Sequence, residues 1–263
     1  MTKAYTSDLT VEQYELIKPL IPAAKPGGRP REVSMWYVLN AIFDLVTQGC
    51  KWRDLPSDFP AWQTVYRYFR NWRFDGTWLV IHDRLHSWTR VAVGRDESPF
   101  EAILDSQSVP TDTMVHEEVG FDGAKKVKGR KRHMTVDTLG LVLRVLVTAA
   151  SIPEREGGQQ VLEKVKQMGQ KVSRLYLVWV DGGYSGNPFV QWAMDTLHLV
   201  ILVLLRPEQA KGFVLQKKRW VVERTFCWLN WYRRLSKDYE HLPENSEVIV
   251  YIAMIQLMVR RLA

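Results

Sequence analysis

The 263-residue sequence contains only two cysteines, Cys50 and Cys227, which lie far apart and form no Cys-x-x-Cys pair. Two cysteines are too few for a disulfide scaffold, and a structural zinc site needs closely spaced Cys or His ligands. Both are therefore excluded, and a reducing cytoplasm is indicated. Long apolar runs are also missing, because the longest, Leu199 to Leu205, ends at Arg206. A membrane-spanning helix needs about 20 apolar residues, and the N-terminus has no apolar signal segment. We therefore expect a soluble, cytoplasmic protein.

Acidic residues are the minority charge, since 29 Asp and Glu stand against 36 Lys and Arg, which gives a formal net charge of +7. Tryptophan, by contrast, is abundant, and several of the 11 residues stand beside arginine, as in Lys51-Trp52-Arg53 and Trp231-Tyr232-Arg233. Aromatic and arginine side chains together stack on bases and pair with phosphates, which indicates a polyanion such as nucleic acid as partner. The alternative is that Trp fills helix cores while Arg extends beside it to solvent.

The first 95 residues have the apolar spacing of helices. A capping-box pattern at Thr10 predicts a first helix, which prolines end after residue 18. A second helix is predicted from Ser34 to Gly49, and a fourth over residues 75–91. The third covers residues 62–73 and has an apolar face with a basic side opposite.

Arginines mark two places in this N-terminal region. Arg67, Arg70 and Arg73 lie on the polar side of the third predicted helix, and a basic helix after a short helix and a turn is typical of helix-turn-helix DNA readers. Arg29 and Arg31, in a connector rich in Pro and Gly, are of the kind that enters a narrow minor groove. An ordinary solvated helix face is the alternative explanation. We expect residues 1–95 to form a small all-α, helix-turn-helix-like DNA-binding domain.

Strand patterns begin after residue 95. Residues 102–105 and 175–181 are apolar segments that end on an acid, and residues 132–138 and 141–149 read as a hairpin. Helices and a further apolar strand alternate after them. This pattern predicts an α/β domain with a mixed sheet over residues 96–263.

The acids that end the two apolar segments are Asp105 and Asp181. Side chains at the carboxyl ends of strands in an open α/β sheet line a crevice where ligands bind. Carboxylates without a neutralising neighbour there need a metal ion or water to compensate their charge. The alternative is that each aspartate simply begins a turn.

A third candidate acid is Glu223, which lies on a predicted amphipathic helix between Trp220 and Phe226. An acid on an apolar helix face points inward, where it needs a ligand. Arg219, one turn earlier, offers the alternative of an ordinary surface ion pair of little energetic weight.

Six of the eight residues from Lys125 to Arg132 are basic. Because they precede a predicted strand, we expect a loop that follows a phosphate backbone, with a merely solvated loop as the alternative. The candidate contacts are Lys128, Arg130, Lys131 and Arg132.

The order of these motifs resembles that of bacterial insertion-sequence transposases of the DDE type. It runs through Asp105-Ser106-Gln107-Ser108, Asp181-Gly182-Gly183-Tyr184 and the segment from Arg219 to Arg224, and it extends to Gly49-Cys50-Lys51-Trp52-Arg53-Asp54-Leu55-Pro56 in the N-terminal half. The resemblance therefore covers nearly the whole chain. It implies a ribonuclease H-like catalytic domain in which Asp105, Asp181 and Glu223 hold two Mg²⁺ ions, with Mn²⁺ as a substitute.

The resemblance also implies an activity and a set of partners. The protein would bind the terminal repeats of its element, cleave DNA strands with metal, and transfer them to target DNA. Its partner would be double-stranded DNA, and a homodimer or higher oligomer would hold both ends in the bacterial nucleoid, without a membrane. A related metal-dependent nuclease, and a DNA-binding repressor with an inactive catalytic-like domain, are the alternatives.

Two positions depart from the pattern of the related transposases. These carry a Tyr three residues before the arginine and a basic residue seven after the glutamate, where this sequence has Gln216 and Asn230. Arg219 matches the pattern. The phosphate contact of the later basic residue must then shift to Arg233, Arg234 or Lys237, or be absent.

Overall fold

The computed structural model describes residues 5–24, 31–205 and 217–263. Its N-terminal helices are α1 (Val11–Ile17), α2 (Met35–Gln48), α3 (Trp62–Phe74) and α4 (Thr77–Ala92). They are followed by β1 (Glu101–Pro110), β2 (Gly120–Asp122), β3 (Val127–Asp137), β4 (Val142–Ala149), α5 (Glu154–Lys166), β5 (Leu177–Asp181), α6 (Asn187–Leu197) and β6 (Val200–Leu204). The last helices are α7 (Lys217–Asn230) and α8 (Pro243–Leu262).

Local sequence signals set the ends of the N-terminal helices as predicted. Thr10 and Gln13 form a reciprocal capping box, in which each side chain accepts a hydrogen bond from the backbone N–H of the other. At the end of α2, Gly49 adopts a φ of 75°, which is the left-handed conformation that favours glycine. The side chains of Val65, Phe69 and Trp72 are buried along one face of α3, as the apolar spacing predicts.

The sheet has the strand order β2-β3-β1-β5-β6, and β4 pairs with β3. β3 is antiparallel to β1, β2 and β4, whereas β1, β5 and β6 run parallel to one another. This mixed sheet is flanked by helices and follows an N-terminal helical region. The arrangement confirms the predicted ribonuclease H-like α/β fold.

Helices cover both faces of the sheet. Apolar side chains of α5 and α6 pack on one face, and those of α7, α8 and the N-terminal helices form a second cluster on the other. α8 is buried over most of its circumference because it lies between β4, α2 and α4. This cluster includes residues from both sides of position 95, so the domain division at that position stays a prediction. None of the helices in the described ranges has the length and apolar character that a membrane crossing requires.

Two strand boundaries differ from the prediction. β1 does not end at Asp105 but continues to Pro110, because β3 pairs with it throughout. β3 begins at Val127, so the basic segment that we expected in a loop forms a central strand. α7 ends at Asn230, and residues 233–235 form a short 3-10 turn before α8.

A buried ion-pair network joins α4 to the sheet. Both carboxylate oxygens of Asp83 accept hydrogen bonds from the Arg144 guanidinium, at 2.8 and 2.9 Å, and Lys171 Nζ lies 2.6 Å from Oδ2. Burial alone would raise the pKa of Asp83, but the hydrogen bonds from His82 and Arg144 hold it well below its usual range. Burial lowers the pKa of His82 to about 4, so this imidazole is neutral near pH 7.

We expect Asp83→Asn to lower the free energy of unfolding by about 3–5 kcal/mol, because it leaves the buried Arg144 guanidinium without its counter-charge. An acid whose folded pKa lies below its unfolded value stabilises the fold above about pH 4 and loses that contribution as the pH falls. Urea unfolding of both proteins at several pH values measures the difference, which should shrink on acidification. Asp195→Asn, at an exposed position of α6, is the control, and equal unfolding energies at neutral pH would contradict the expectation.

Candidate active site

Asp105 and Asp181 lie side by side at one edge of the parallel strand pair. Leu104 of β1 is paired with Val180 of β5, so the next residue on each strand is one of the two aspartates. Side chains alternate between the faces of a sheet, and Ile103, two residues before Asp105, belongs to the cluster on the α7 side. Both carboxylates therefore face the side of the sheet that α7 covers.

Asp105 is an acid in a poorly hydrated place. Only 7% of the residue is exposed, and burial raises the pKa of its carboxyl group to about 7. A hydrogen bond from the Ser106 backbone N–H, at 2.7 Å, opposes that rise, and the negative charge of Asp181 adds to it. The positive charges of Arg219 and Lys125 lower the pKa by smaller amounts. Two adjacent carboxylates with so little compensation favour a bound cation.

Arg219 of α7 lies between the second aspartate and the glutamate. Its Nη2 is 3.8 Å from Asp181 Oδ2, and its Nε is 3.1 Å from Glu223 Oε1. The Nε contact is an ion pair by distance but is not aligned as a hydrogen bond. About half of the Glu223 side chain is exposed, so the expectation that it points inward is wrong. One guanidinium thus connects two of the three acids.

The three acids do not form a closed metal cage in this conformation. Among the described residues, no group of three or more His, Cys, Asp or Glu side chains is arranged to hold a metal ion. The oxygen donors of Asp105 and Asp181 are of the type that Mg²⁺ prefers, and the pair fits two positions of such a site. Glu223 completes the set only if its carboxylate leaves Arg219.

Glu154, which the sequence analysis did not single out, borders the aspartate pair. Its Oε1 accepts a hydrogen bond from Ser106 Oγ at 3.1 Å and lies 3.4 Å from Lys125 Nζ. A Cβ atom at Gly183 would collide with Glu154 Oε2 and would lie 3.1 Å from Asp181 Oδ1, so a larger residue there would displace the Glu154 carboxylate. The sequence signal that could have pointed to Glu154 is an acid at the first residue of the helix that comes after β4.

The prediction that the basic segment follows a phosphate backbone is wrong for the two arginines of β3. Arg130 and Arg132 are fully buried, because their side of β3 is covered by the segment between α7 and α8. Arg130 donates to the backbone carbonyls of Glu240 and residue 241 and lies 3.3 Å from Asp238 Oδ1. Arg132 donates to the carbonyls of residues 235 and 237. Both guanidiniums therefore anchor the segment that joins α7 to α8.

The predicted DNA contacts of Lys131 and Arg234 are wrong for the same reason. Lys131 Nζ donates to the carbonyl oxygen of Ile152, and little of its side chain is exposed. Arg234 is buried, where it donates to Glu240 Oε1 at 2.8 Å and to the carbonyl oxygen of Cys50 at 2.7 Å. Charged groups with these internal partners are not available to phosphate.

The other predicted DNA contacts remain accessible to different degrees. Those that are exposed are Arg67, Arg70, Lys128, Arg233 and Lys237, and those that are partly buried are Arg31, Arg73 and Arg219. Arg29 and Gln216 lie outside the described residues. Asn230 is exposed at the last position of α7.

In the metal-free protein we expect Asp105→Asn to raise the free energy of unfolding at about pH 8 by about 1–3 kcal/mol. Because the folded pKa of Asp105 is near 7, the free energy of unfolding of the wild-type protein falls as the pH rises from about 4 to about 7. The neutral amide avoids that loss. Denaturant unfolding with a chelator present, from acid to alkaline pH, measures both proteins beside Asp195→Asn. Coincident curves for wild type and Asp105→Asn at alkaline pH would refute this account.

The chain resembles known proteins in both of its halves. Residues 101–258 match the family described as transposase DDE domain, and residues 9–82 match the family described as putative transposase of the IS4/5 family. An uncharacterized 16.2 kDa protein of insertion element IS402 from Burkholderia cepacia is 34% identical over 107 residues, which are 37% of this chain and 69% of that protein. No solved structure gives a significant match.

A putative transposase for insertion sequence element IS402, also from Burkholderia cepacia, is 28% identical over 116 residues. The match covers 43% of this chain and 54% of that protein, so the chain spans about half the length of this relative. The DDE-domain match covers more than half of the chain and includes Asp105, Asp181 and Glu223. The chain therefore belongs to the transposase DDE domain family.

Proposed function

We propose that this transposase binds the terminal repeats of its insertion sequence, cleaves DNA strands there and joins them to target DNA. Asp105, Asp181 and Glu223 are the proposed catalytic acids. The observation that carries the proposal is the parallel pairing of β1 and β5, which sets the two aspartates side by side under the helix that bears the glutamate. An acid-lined edge beneath a basic helix is suited to a phosphodiester and its counter-ions.

The three carboxylates supply oxygen ligands of the kind that Mg²⁺ or Mn²⁺ accepts. Two such ions, when bound, activate water or a 3′-hydroxyl and stabilise the leaving oxygen. Asp105 contributes a buried carboxylate whose ionisation a cation would favour. Glu223 is half exposed and is held by one ion pair, so its side chain can turn toward the aspartates at little cost.

Arg219 has two tasks in this proposal. Without DNA, its guanidinium compensates the charges of Asp181 and Glu223. With DNA, the same planar group is suited to bind a phosphate next to the reacting bond, because guanidinium matches phosphate in a bidentate geometry. Exchange of a carboxylate partner for phosphate would leave Glu223 free to join the two aspartates.

Double-stranded DNA is the proposed partner, and α3 is the proposed first contact. Arg67 and Arg70 are exposed on the side of α3 opposite its buried apolar face, where two cations can reach a phosphate backbone. The remaining proposed contacts are Arg29, Arg31, Arg73, Lys128, Arg219, Arg233 and Lys237. Because both ends of an element must be processed together, we propose a homodimer or higher oligomer at the DNA, within the bacterial nucleoid.

We expect Asp181→Asn to abolish Mg²⁺-dependent strand cleavage while DNA binding stays within about twofold of wild type, because one metal-ligand oxygen is lost and no cation is removed. The assay uses a duplex that carries the terminal repeats, with cleavage and binding measured in parallel. Asp195→Asn, which removes an exposed acid remote from β1, is the matched control and should cleave normally. Full cleavage by Asp181→Asn would refute the assignment of this residue.

The products of that assay separate the related functions. Covalent joints between donor and target DNA are expected of the wild-type protein, whereas a nuclease would yield only cut strands. DNA binding with no cleavage under any divalent metal would favour the repressor.

We expect Arg67→Gln combined with Arg70→Gln to weaken duplex binding at least tenfold and to reduce the salt slope of the binding constant by about 1.8, if each arginine neutralises one phosphate. Fluorescence anisotropy over a range of salt concentrations provides both quantities. Arg84→Gln combined with Lys166→Gln removes the same charge from α4 and α5 and serves as the control. An unchanged slope would show that α3 does not contact the backbone.

A further inference from the structure

Alternating tryptophan and arginine side chains form a stack on α7 and the end of α8. The Arg224 guanidinium carbon lies 4.7 Å from the ring centres of both Trp220 and Trp228. The Arg261 guanidinium carbon lies 4.5 Å from the ring centre of Trp228. These residues are close because positions four apart share one side of a helix and α8 ends beside α7.

Two cavities open on this stack, and both are lined by Trp228. One, of about 320 Å³, is also lined by Arg224 and Arg261, and the other, of about 400 Å³, by Trp231 and Arg260. Trp231 is 83% exposed, an unusual position for a large aromatic ring. We call Arg224, Trp228, Trp231, Arg260 and Arg261 the tryptophan–arginine surface.

The charge of this surface is only partly compensated within the described part of the chain, because the carboxylate that acts on Arg224 and Arg261, Asp137, is already paired with Arg90. Neither cavity is lined by an Asp or Glu side chain, and Arg224, Arg260 and Arg261 form no ion pair there. Arg224 and Arg260 instead donate to the backbone carbonyls of Leu139 and Thr6. Burial lowers the pKa of Arg261, and the repulsion from the neighbouring Arg224 guanidinium lowers it further, while the charge of Asp137 opposes the shift. An anion placed between them would relieve that repulsion.

We propose that the tryptophan–arginine surface binds a DNA strand that carries at least one unpaired base. The arginines would hold its phosphates, and Trp231 would stack on the unpaired base. Paired bases in a duplex cover their faces with neighbouring pairs, so an exposed indole ring gains little from a blunt duplex. The inference rests on the proposed function, because Arg224 follows Glu223 directly and DNA at the acids would reach this surface.

The favoured occupant is a nucleic acid because the surface combines free positive charge with an accessible aromatic ring. A second copy of the chain would have to bring carboxylates to three arginines that stand close together. Single-stranded DNA supplies one negative charge per nucleotide and a base face beside each charge. Both features of the surface are used by that one ligand.

The test compares the binding of a labelled oligothymidylate with that of a blunt duplex of equal length, by fluorescence anisotropy with the full chain. We expect Trp231→Ala to weaken single-strand binding about fivefold or more and to leave duplex binding and the salt slope unchanged. Trp231→Phe, which keeps an aromatic ring, should recover most of the loss. Arg260→Gln combined with Arg261→Gln should weaken binding about tenfold and reduce the single-strand salt slope by about 1.4.

Two control variants lose the same charge, or an aromatic ring, at positions away from the proposed surface. Arg84→Gln combined with Lys166→Gln matches the double arginine variant, and Tyr176→Ala removes another exposed ring remote from both cavities. Circular dichroism and thermal unfolding verify that each variant is folded.

Two results would overturn the proposal without touching the proposed function. The first is that Trp231→Ala binds the single strand as tightly as wild type does, while strand cleavage still depends on Asp181. A loss of oligomer mass in the arginine variant without loss of DNA binding is the second, because the surface would then join copies of the chain. Failure of the wild-type protein to bind any DNA would overturn both proposals together.

Discussion

The parallel pairing of β1 with β5 is the constraint on which the proposed catalytic centre depends. Parallel strands cannot be joined by a tight turn, and here the chain leaves β1 and forms β2, β3, β4 and α5 before it returns as β5. The return sets two aspartates, 76 residues apart in sequence, at equivalent positions of adjacent strands. Their mutual repulsion and the burial of Asp105 are therefore consequences of the fold.

Positive charge divides into two populations with different physical roles. The arginines of β3 are buried and hold backbone carbonyls of the segment that leads to α8, and Arg234, in the turn after α7, is buried and donates to the carbonyl of Cys50. A guanidinium carries five N–H donors in fixed directions, so one side chain can satisfy several carbonyl groups of an irregular segment. Arg67 and Arg70 of α3 are exposed, and the arginines of the tryptophan–arginine surface form at most single hydrogen bonds to backbone carbonyls, so these are the groups that can exchange solvent for DNA.

α7 joins the two proposed functions of the molecule. One side of this helix carries Arg219 and Glu223 toward the aspartates, and another carries the stack of Trp220, Arg224 and Trp228. Residues three or four apart share a side, while adjacent residues diverge by about 100°. A rigid helix of this kind fixes the distance between the acids that would cut a strand and the rings that would hold it.

The sequence by itself determined the family, the α/β class and the ends of the first helices, and it supplied the three acids of the proposed site. These features can be read from neighbouring residues: the capping residues, the glycine after α2, the apolar period of α3 and the order of the motifs. Only the tertiary structure decided which charges are free, because alternation along β3 and the position of the α7–α8 segment bury Arg130 and Arg132. It also decided that Arg219 separates Glu223 from the aspartates and that Glu154 borders them, since those contacts join residues far apart in sequence. Distances across strands and helices depend on packing, which no local pattern encodes.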